Sequence, residues 1–184
     1  LDKSIPIGAG LGGGSADAAA TLVLLRKLFN KDKHYNKIPI STIFKIGSEL
    51  GSDVPSCIMS KDLKLKGYGK EIRRKKFPNN YCFLIIYPNF ELSTKSVFQN
   101  YTDFDNFNHK SKKLFFENIK IYNSLLFSAI SLAPEIKDVL DNLKRIRNIV
   151  AYGMTGSGST CFGIFKSLND IPNLSKFYNN NYFI

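Results

Sequence analysis

Near its start the chain carries Ile5-Pro6-Ile7-Gly8-Ala9-Gly10-Leu11-Gly12-Gly13-Gly14-Ser15-Ala16-Asp17-Ala18-Ala19-Ala20, with five glycines between positions 8 and 14. Backbone this poor in side chains turns tightly and can bring several N–H groups close to an anion. Ser15 is read as the helix N-cap and Asp17 as a first-turn residue. The run from Ala18 through Leu25 has the composition of a helix lying partly in a core. A glycine loop entering a helix N-terminus is an anion site, because unpaired N–H groups and the helix dipole point the same way. A nucleotide phosphate is the anion this predicts. No Gly-Lys-Ser/Thr closes the loop, so it is not a Walker A sequence. Read from Gly10, the spacing is Gly-x-Gly-x-Gly rather than the dinucleotide Gly-x-Gly-x-x-Gly. A flexible linker fits poorly, since an apolar helix follows at once.

The 184 residues can bury a substantial core in one or two small domains. Hydrophobic content of 43% and charged content of 22% are ordinary for a globular protein. No apolar run is long enough to span a bilayer, and no signal peptide is read. Cys57, Cys82 and Cys161 match neither a zinc pattern nor a disulfide framework, so reduced thiols and a cytoplasmic protein are expected. The net charge of +11 invites a nucleic-acid reading. The lysines are scattered through an Asn-, Ile-, Phe- and Tyr-rich chain, however, which reads as compositional bias rather than a groove-binding stripe. The cluster Arg73-Arg74-Lys75-Lys76 is read as a solvated loop that helps attract a polyanionic substrate. Neither nucleic acid nor membrane is an expected partner.

Along the chain the first helix is expected from Ala16 to about Leu28. Ser41 is expected to cap a second helix, with Ile43, Phe44, Ile46 and Leu50 on its apolar face and Gly51 at its end. In Gly51-Ser52-Asp53-Val54-Pro55, Pro55 bars helix continuation and biases Val54 towards extended geometry. Asp53 is thus held on a rigid turn; by spacing alone, a turn-capping Asp is the ordinary reading. Leu63–Gly67 and Ile72 read as short strands around Gly67-Tyr68-Gly69. Tyr81 to Tyr87 reads as a central strand stopped by Pro88. Ser93 or Thr94 caps a helix carrying Val97 and Phe98. Thr102–Lys113 is polar with no regular signal, and Asn118–Leu132 and Pro134–Ile146 read as two helices, with Pro134 at a first turn. Two β-like pieces flank Thr155-Gly156-Ser157-Gly158-Ser159-Thr160, a turn of small residues able to approach a ligand or the first loop closely. Tyr182-Phe183-Ile184 reads as a final strand cut short.

The glycine segment resembles the ATP loop of the GHMP kinases (galactokinase, homoserine kinase, mevalonate kinase, phosphomevalonate kinase), with Pro6, Gly10 and Leu11 matching their Pro-x-x-x-Gly-Leu-x-Ser-Ser-Ala. The Gly-Leu-Gly-Gly-Gly-Ser form and the following Asp-Ala-Ala are similar to the family's branch in the non-mevalonate route to isoprenoid (terpenoid) precursors. That branch usually has two serines where this chain has Ser15-Ala16. Gly51-Ser52-Asp53-Val54-Pro55, Leu92-Ser93-Thr94-Lys95-Ser96-Val97-Phe98 and Met154-Thr155-Gly156-Ser157-Gly158 resemble three further family stretches in the same order. Asn123 matches a family Asn, but Ser124 stands where Asp is usual, and no role is assigned there.

The resemblance implies an α+β GHMP kinase fold. Residues 1–76 would be the remainder of a ribosomal-protein-S5-like ATP-binding domain, and residues 77–184 a ferredoxin-like C-terminal domain. The chain is expected to be a fragment lacking family strands that precede the glycine loop. The implied reaction moves the γ-phosphoryl group of ATP, with Mg²⁺, to the C2 hydroxyl of a cytidine diphosphate methylerythritol. Pro6, Gly8, Ala9, Gly10, Leu11, Gly12, Gly13, Gly14, Ser15 and Ala16 would bind ATP, with Ser15 available to the metal. Asp53 would be the catalytic acid–base. Thr94, Phe98, Gly156, Ser157 and Gly158 would bind the small-molecule substrate, Phe98 lying against the cytosine. A homodimer is admitted as an assembly. Two alternatives stay open: another family activity such as homoserine phosphorylation, and a non-catalytic remnant.

Overall fold

A computed structural model describes residues 3, 5–34, 36–67, 71–77, 80–102, 114–116 and 119–173. It divides into two units, Gly12–Pro78 and a second formed by Leu1–Leu11 with Asn79–Ile184. Helices and strands are mixed in both, in keeping with the α+β expectation.

In the unit Gly12–Pro78, helix α1 (Gly13–Lys31) grows straight out of the glycine run. Gly12 occupies the cap position in the left-handed region (φ 69°, ψ 19°), with no side-chain cap. A glycine enters that region at little cost, so the helix starts three residues before Ala16 and needs no hydroxyl cap. Ser15 therefore lies inside the helix rather than capping it, and Asp17 falls beyond the first turn. At the other end, the Asn30 side chain accepts from Ile38 N–H at 2.7 Å and donates to Ile38 C=O at 3.1 Å. Arg26 Nε donates to the same carbonyl at 2.9 Å. This clasp fixes the entry to helix α2 (Ile40–Leu50), which follows Pro39 in extended backbone. Ser41 is thus within α2 and is not its cap, whereas Gly51 ends it as expected.

Helix α3 (Val54–Met59) corrects the reading of Val54 and Pro55. Both residues are helical, because a proline in the first turn lacks only an N–H that has no intrahelical acceptor, and its φ suits the helix. Buried Ala19, Ile43, Val54 and Pro55 lie where the three helices pack. Strands β1 (Leu63–Lys66) and β2 (Glu71–Arg74) form an antiparallel hairpin, pairing Leu63 with Arg74 and Lys66 with Glu71. Arg73 and Arg74 are therefore exposed strand residues, with Lys75 and Lys76 beyond the strand.

In the other unit, β3 (Cys82–Ile86), β6 (Ala151–Met154) and β7 (Cys161–Phe165) form an antiparallel sheet in the order β3-β7-β6. Among the described residues β7 is the middle strand and β3 lies at the side, correcting the expectation that the Tyr81–Tyr87 run is central. An apolar run shows that a strand is buried, not how many partners it has. Helix α4 (Thr94–Gln99) starts at Ser93, whose Oγ accepts from Ser96 N–H at 3.3 Å. Strands β4 (Leu114–Phe116) and β5 (Ile119–Ile121) form a second hairpin. The stretch 118–132 is thus not one helix: Ile-Lys-Ile alternates as a strand does, and among its described residues only α5 (Leu126–Leu132) is helical.

Helix α6 (Glu135–Arg145) follows Pro134 and buries Ile136, Val139, Leu140 and Leu143 at helical spacing. Glu135 and Asp138 in its first turn and Lys144 and Arg145 in its last complement the helix dipole. These side chains form one core with Leu84, Ile86, Val97, Met154, Cys161 and Phe165, which fixes the sheet and α4 together. Burying each such aliphatic stabilises by about 1.5–3 kcal/mol. Tyr68 and Gly69, residues 103–113 and the Tyr182–Ile184 tail lie outside the described residues.

Candidate functional site

The β6–β7 hairpin closes through the turn Thr155–Thr160, and the front of the glycine run lies on this turn. Thr155 N–H donates to Thr160 C=O at 2.9 Å, and Gly158 N–H to Thr155 C=O at 2.9 Å. Thr155 Oγ1 donates to Gly10 C=O at 2.7 Å, and Thr160 N–H to Ala9 C=O at 3.2 Å. Backbone meets backbone so closely that a Cβ on Gly10 would stand 2.5 Å from Gly158 O. Gly10 (φ 74°) is also in the left-handed region. The expectation that small residues let this turn approach the first loop is met. The peptide between Gly158 and Ser159 is cis.

Further side-chain hydrogen bonds tie the turn down. Ser159 Oγ donates to Phe90 C=O at 2.7 Å. Thr94 Oγ1 and Ser157 Oγ are 2.8 Å apart, joining the start of α4 to the turn. Asn123 Nδ2 donates to Met154 C=O at 2.9 Å and to Gly156 C=O at 2.8 Å. Sequence reasoning passed over Ser159 and left Asn123 without a role. A signal for Asn123 existed: an Asn two residues before Leu125, at a helix entry, is the pattern of an Asx turn, and its Oδ1 accepts from Leu125 N–H at 3.0 Å.

Helix α4 presents two of the expected substrate residues on one side, since Thr94 and Phe98 are four apart. Val97 is buried in the core, while Phe98 is 60% exposed. Phe98 is therefore not a core aromatic, and its ring is free to meet a ligand. Asn100 at the end of α4 donates to Ser131 Oγ at 2.6 Å, pinning the helix to α5. Thr94, Ser157, Gly156, Gly158 and Gly10 thus gather around one turn, with Pro6, Gly8, Ala9 and Leu11 in the same unit.

The remaining expected residues, Gly12, Gly13, Gly14, Ser15, Ala16 and Asp53, lie in the unit Gly12–Pro78. Gly12 starts α1, and the first N–H groups of that helix have no intrahelical acceptor. Space beside Gly12 and Gly14 is open within 4 Å of an added Cβ. Asp53 is exposed and heads α3, which packs against α1. Its carbonyl accepts from Ser56 Oγ at 2.6 Å and Cys57 N–H at 3.1 Å. The main chain is thereby held, while the carboxylate has no hydrogen-bond or ion-pair partner among the described residues.

Burial pushes the Cys161 thiol up to about 12, so it stays protonated at neutral pH and is no nucleophile. Burial first, and Glu91 second, raise the Tyr87 phenol, which keeps it neutral as well. Among the described residues no three His, Cys, Asp or Glu side chains converge as a metal cage. No helix is long and apolar enough to cross a membrane, among the described residues.

The arrangement, a glycine run entering a helix and a small-residue turn fastened to it, defines the class. Residues 1–61 match the model of the GHMP kinases N terminal domain, and residues 104–183 that of the GHMP kinases C terminal. The chain belongs to the GHMP kinase family. It is 38% identical to the 4-diphosphocytidyl-2-C-methyl-D-erythritol kinase of Ehrlichia canis (strain Jake), across 95% of this chain and 62% of that protein. It is 37% identical to the kinase of the same name from Ruthia magnifica, across 91% of this chain and 57% of that one. A crystal structure of 4-(cytidine 5'-diphospho)-2C-methyl-D-erythritol kinase superposes with a TM-score of 0.71 at 26% identity, across 92% of this chain and 62% of that chain. The chain thus spans about three-fifths of the length of these relatives.

Proposed function

We propose that the chain carries part or all of an ATP-dependent, cytoplasmic small-molecule kinase acting on the C2 hydroxyl of 4-diphosphocytidyl-2-C-methyl-D-erythritol, in isoprenoid precursor synthesis. Residues 1–76 form its ATP-binding part and residues 77–184 its second domain. The N–H groups opening α1 hold phosphate oxygens, which helix-terminal donors do without reorganisation at the moment of transfer. Asp53 orients the acceptor hydroxyl and takes its proton. Phe98 stacks on the cytosine, and Thr94 with the Gly156–Gly158 turn lines the substrate side. Mg²⁺ commonly relies on substrate phosphates and few protein groups, and Ser15 offers one hydroxyl. When bound, it neutralises charge on the phosphates.

One observation carries the reading most: a continuous network joins Gly10 through the Thr155–Ser157 turn to Thr94, on the helix that bears exposed Phe98. The test is a panel of alcohols offered to the full chain with γ-labelled ATP. Label is expected in the cytidyl alcohol and absent from homoserine and mevalonate; label in homoserine instead overturns the choice.

Phe98→Ala supplies a narrower check. Base–aromatic stacking is worth about 1–3 kcal/mol, so KM for the cytidyl alcohol should rise by about 5- to 150-fold. Because Phe98 is exposed, the melting temperature should hold. Steady-state kinetics beside a thermal melt read both quantities.

A further inference from the structure

We propose that Asn123 is a positioning residue that aims the Ser157 N–H at a phosphate oxygen of the acceptor substrate; this rests on the function proposed above. The three contacts of the Asn123 amide fix its orientation. Nδ2 faces two carbonyls, Met154 and Gly156, and Oδ1 faces an N–H, that of Leu125. A flipped amide would set oxygen against two carbonyl oxygens, so only this orientation is stable.

The consequence lies in the next peptide bond. The Gly156–Ser157 peptide is trans, the cis bond being the later one at Gly158–Ser159. In a planar trans peptide the N–H points opposite to the C=O. With the Gly156 carbonyl held at 2.8 Å by Asn123, the Ser157 N–H is turned to the other side. Among the described residues nothing accepts it, although the neighbouring Thr155 and Gly158 N–H groups are both satisfied within the turn. A donor left over in a buried residue calls for an acceptor, which a ligand oxygen can supply. Ser157 Oγ is meanwhile occupied by Thr94, on the helix that offers Phe98. An aromatic face for a base and an N–H for a phosphate are thus attached to one turn, whose peptide orientation Asn123 sets. Without Asn123, Gly156 (φ 51°) leaves that peptide free to rotate.

The test compares Asn123→Ala and Asn123→Ser with wild type in the full chain, using the cytidyl alcohol and ATP. Loss of one charge-assisted hydrogen bond should raise KM for the alcohol about tenfold in Asn123→Ala. KM for ATP and kcat should stay within about twofold, since neither depends on the Ser157 N–H. Asn123→Ser, which keeps a shorter donor and tests the idea should the alanine variant misfold, should show a smaller rise of the same kind. An unchanged KM for the alcohol, or an equal rise in both KM values, overturns the assignment. Wild type that turns over no cytidyl alcohol overturns the functional reading instead, and this inference with it; the two failures are told apart by the wild-type assay alone.

Discussion

Asp53→Asn is expected to cut kcat by about 10²–10⁴-fold while leaving ATP affinity and thermal stability near those of wild type. The size follows from the role. An asparagine of the same shape occupies the same space beside the acceptor hydroxyl but cannot take its proton. The selectivity follows from the structure. Asp53 is held through its main chain, by Ser56 Oγ and Cys57 N–H on its carbonyl, and by the buried Val54 and Pro55 that follow. Its carboxylate supports nothing in the fold among the described residues, and caps no N–H of α3. Asparagine is also as good as aspartate at a helix start, so stability should shift by less than about 0.5 kcal/mol. Single-turnover kinetics with a calorimetric ATP titration separate the two expectations. Turnover within a few-fold of wild type would remove Asp53 from the proton-transfer step, and a large fall in melting temperature would show that its side chain is structural.

What was legible in the sequence was local chemistry that glycine, proline and small residues impose. The glycine run entering a helix, the end of α2 at Gly51, the β6–β7 hairpin and a helix cap at Ser93 or Thr94 were all readable, because each depends on one residue type in one conformation. The errors came where two local signals compete. Ser15 is an excellent cap by type, yet Gly12 enters the left-handed region first and the helix starts earlier. Pro55 blocks a helix that is already running but suits one that is just beginning, and its neighbours decide which. Residues 118–132 are rich in Ile and Leu, and apolar content alone does not separate a strand such as Ile119–Ile121 from a helix. Partners distant in sequence were hidden for a different reason. Nothing local ties Asn123 to the carbonyls of Met154 and Gly156, or Ser159 to Phe90; those contacts exist only once the sheet has formed. The closeness of the first loop and the Thr155–Thr160 turn was readable only as a permission, since small residues allow an approach without requiring it.

That approach makes the second large effect. Gly10→Ala is expected to destabilise by about 2–3 kcal/mol, a fall of roughly 5–10 °C in melting temperature. Two separate costs add. Gly10 has φ 74°, and an L-residue held there costs about 1–2 kcal/mol. The added Cβ would also stand 2.5 Å from Gly158 O and 2.7 Å from Thr155 O, and both are main-chain atoms that cannot swing aside. The loop must lift, which breaks the 2.7 Å bond from Thr155 to Gly10, worth about 1 kcal/mol. Gly12→Ala is the control that separates conformation from crowding. Gly12 has a similar φ of 69°, but an added Cβ there meets nothing within 4 Å. Its cost should therefore be the conformational part alone, about 1–2 kcal/mol. Thermal melts of the two variants side by side decide the matter. Equal losses would mean that backbone strain explains both positions and that the loop does not press on the turn. A Gly10 variant with the larger loss, whose Thr155→Val derivative melts no lower than the single variant, would show that the hydrogen bond had already been broken by the lifted loop.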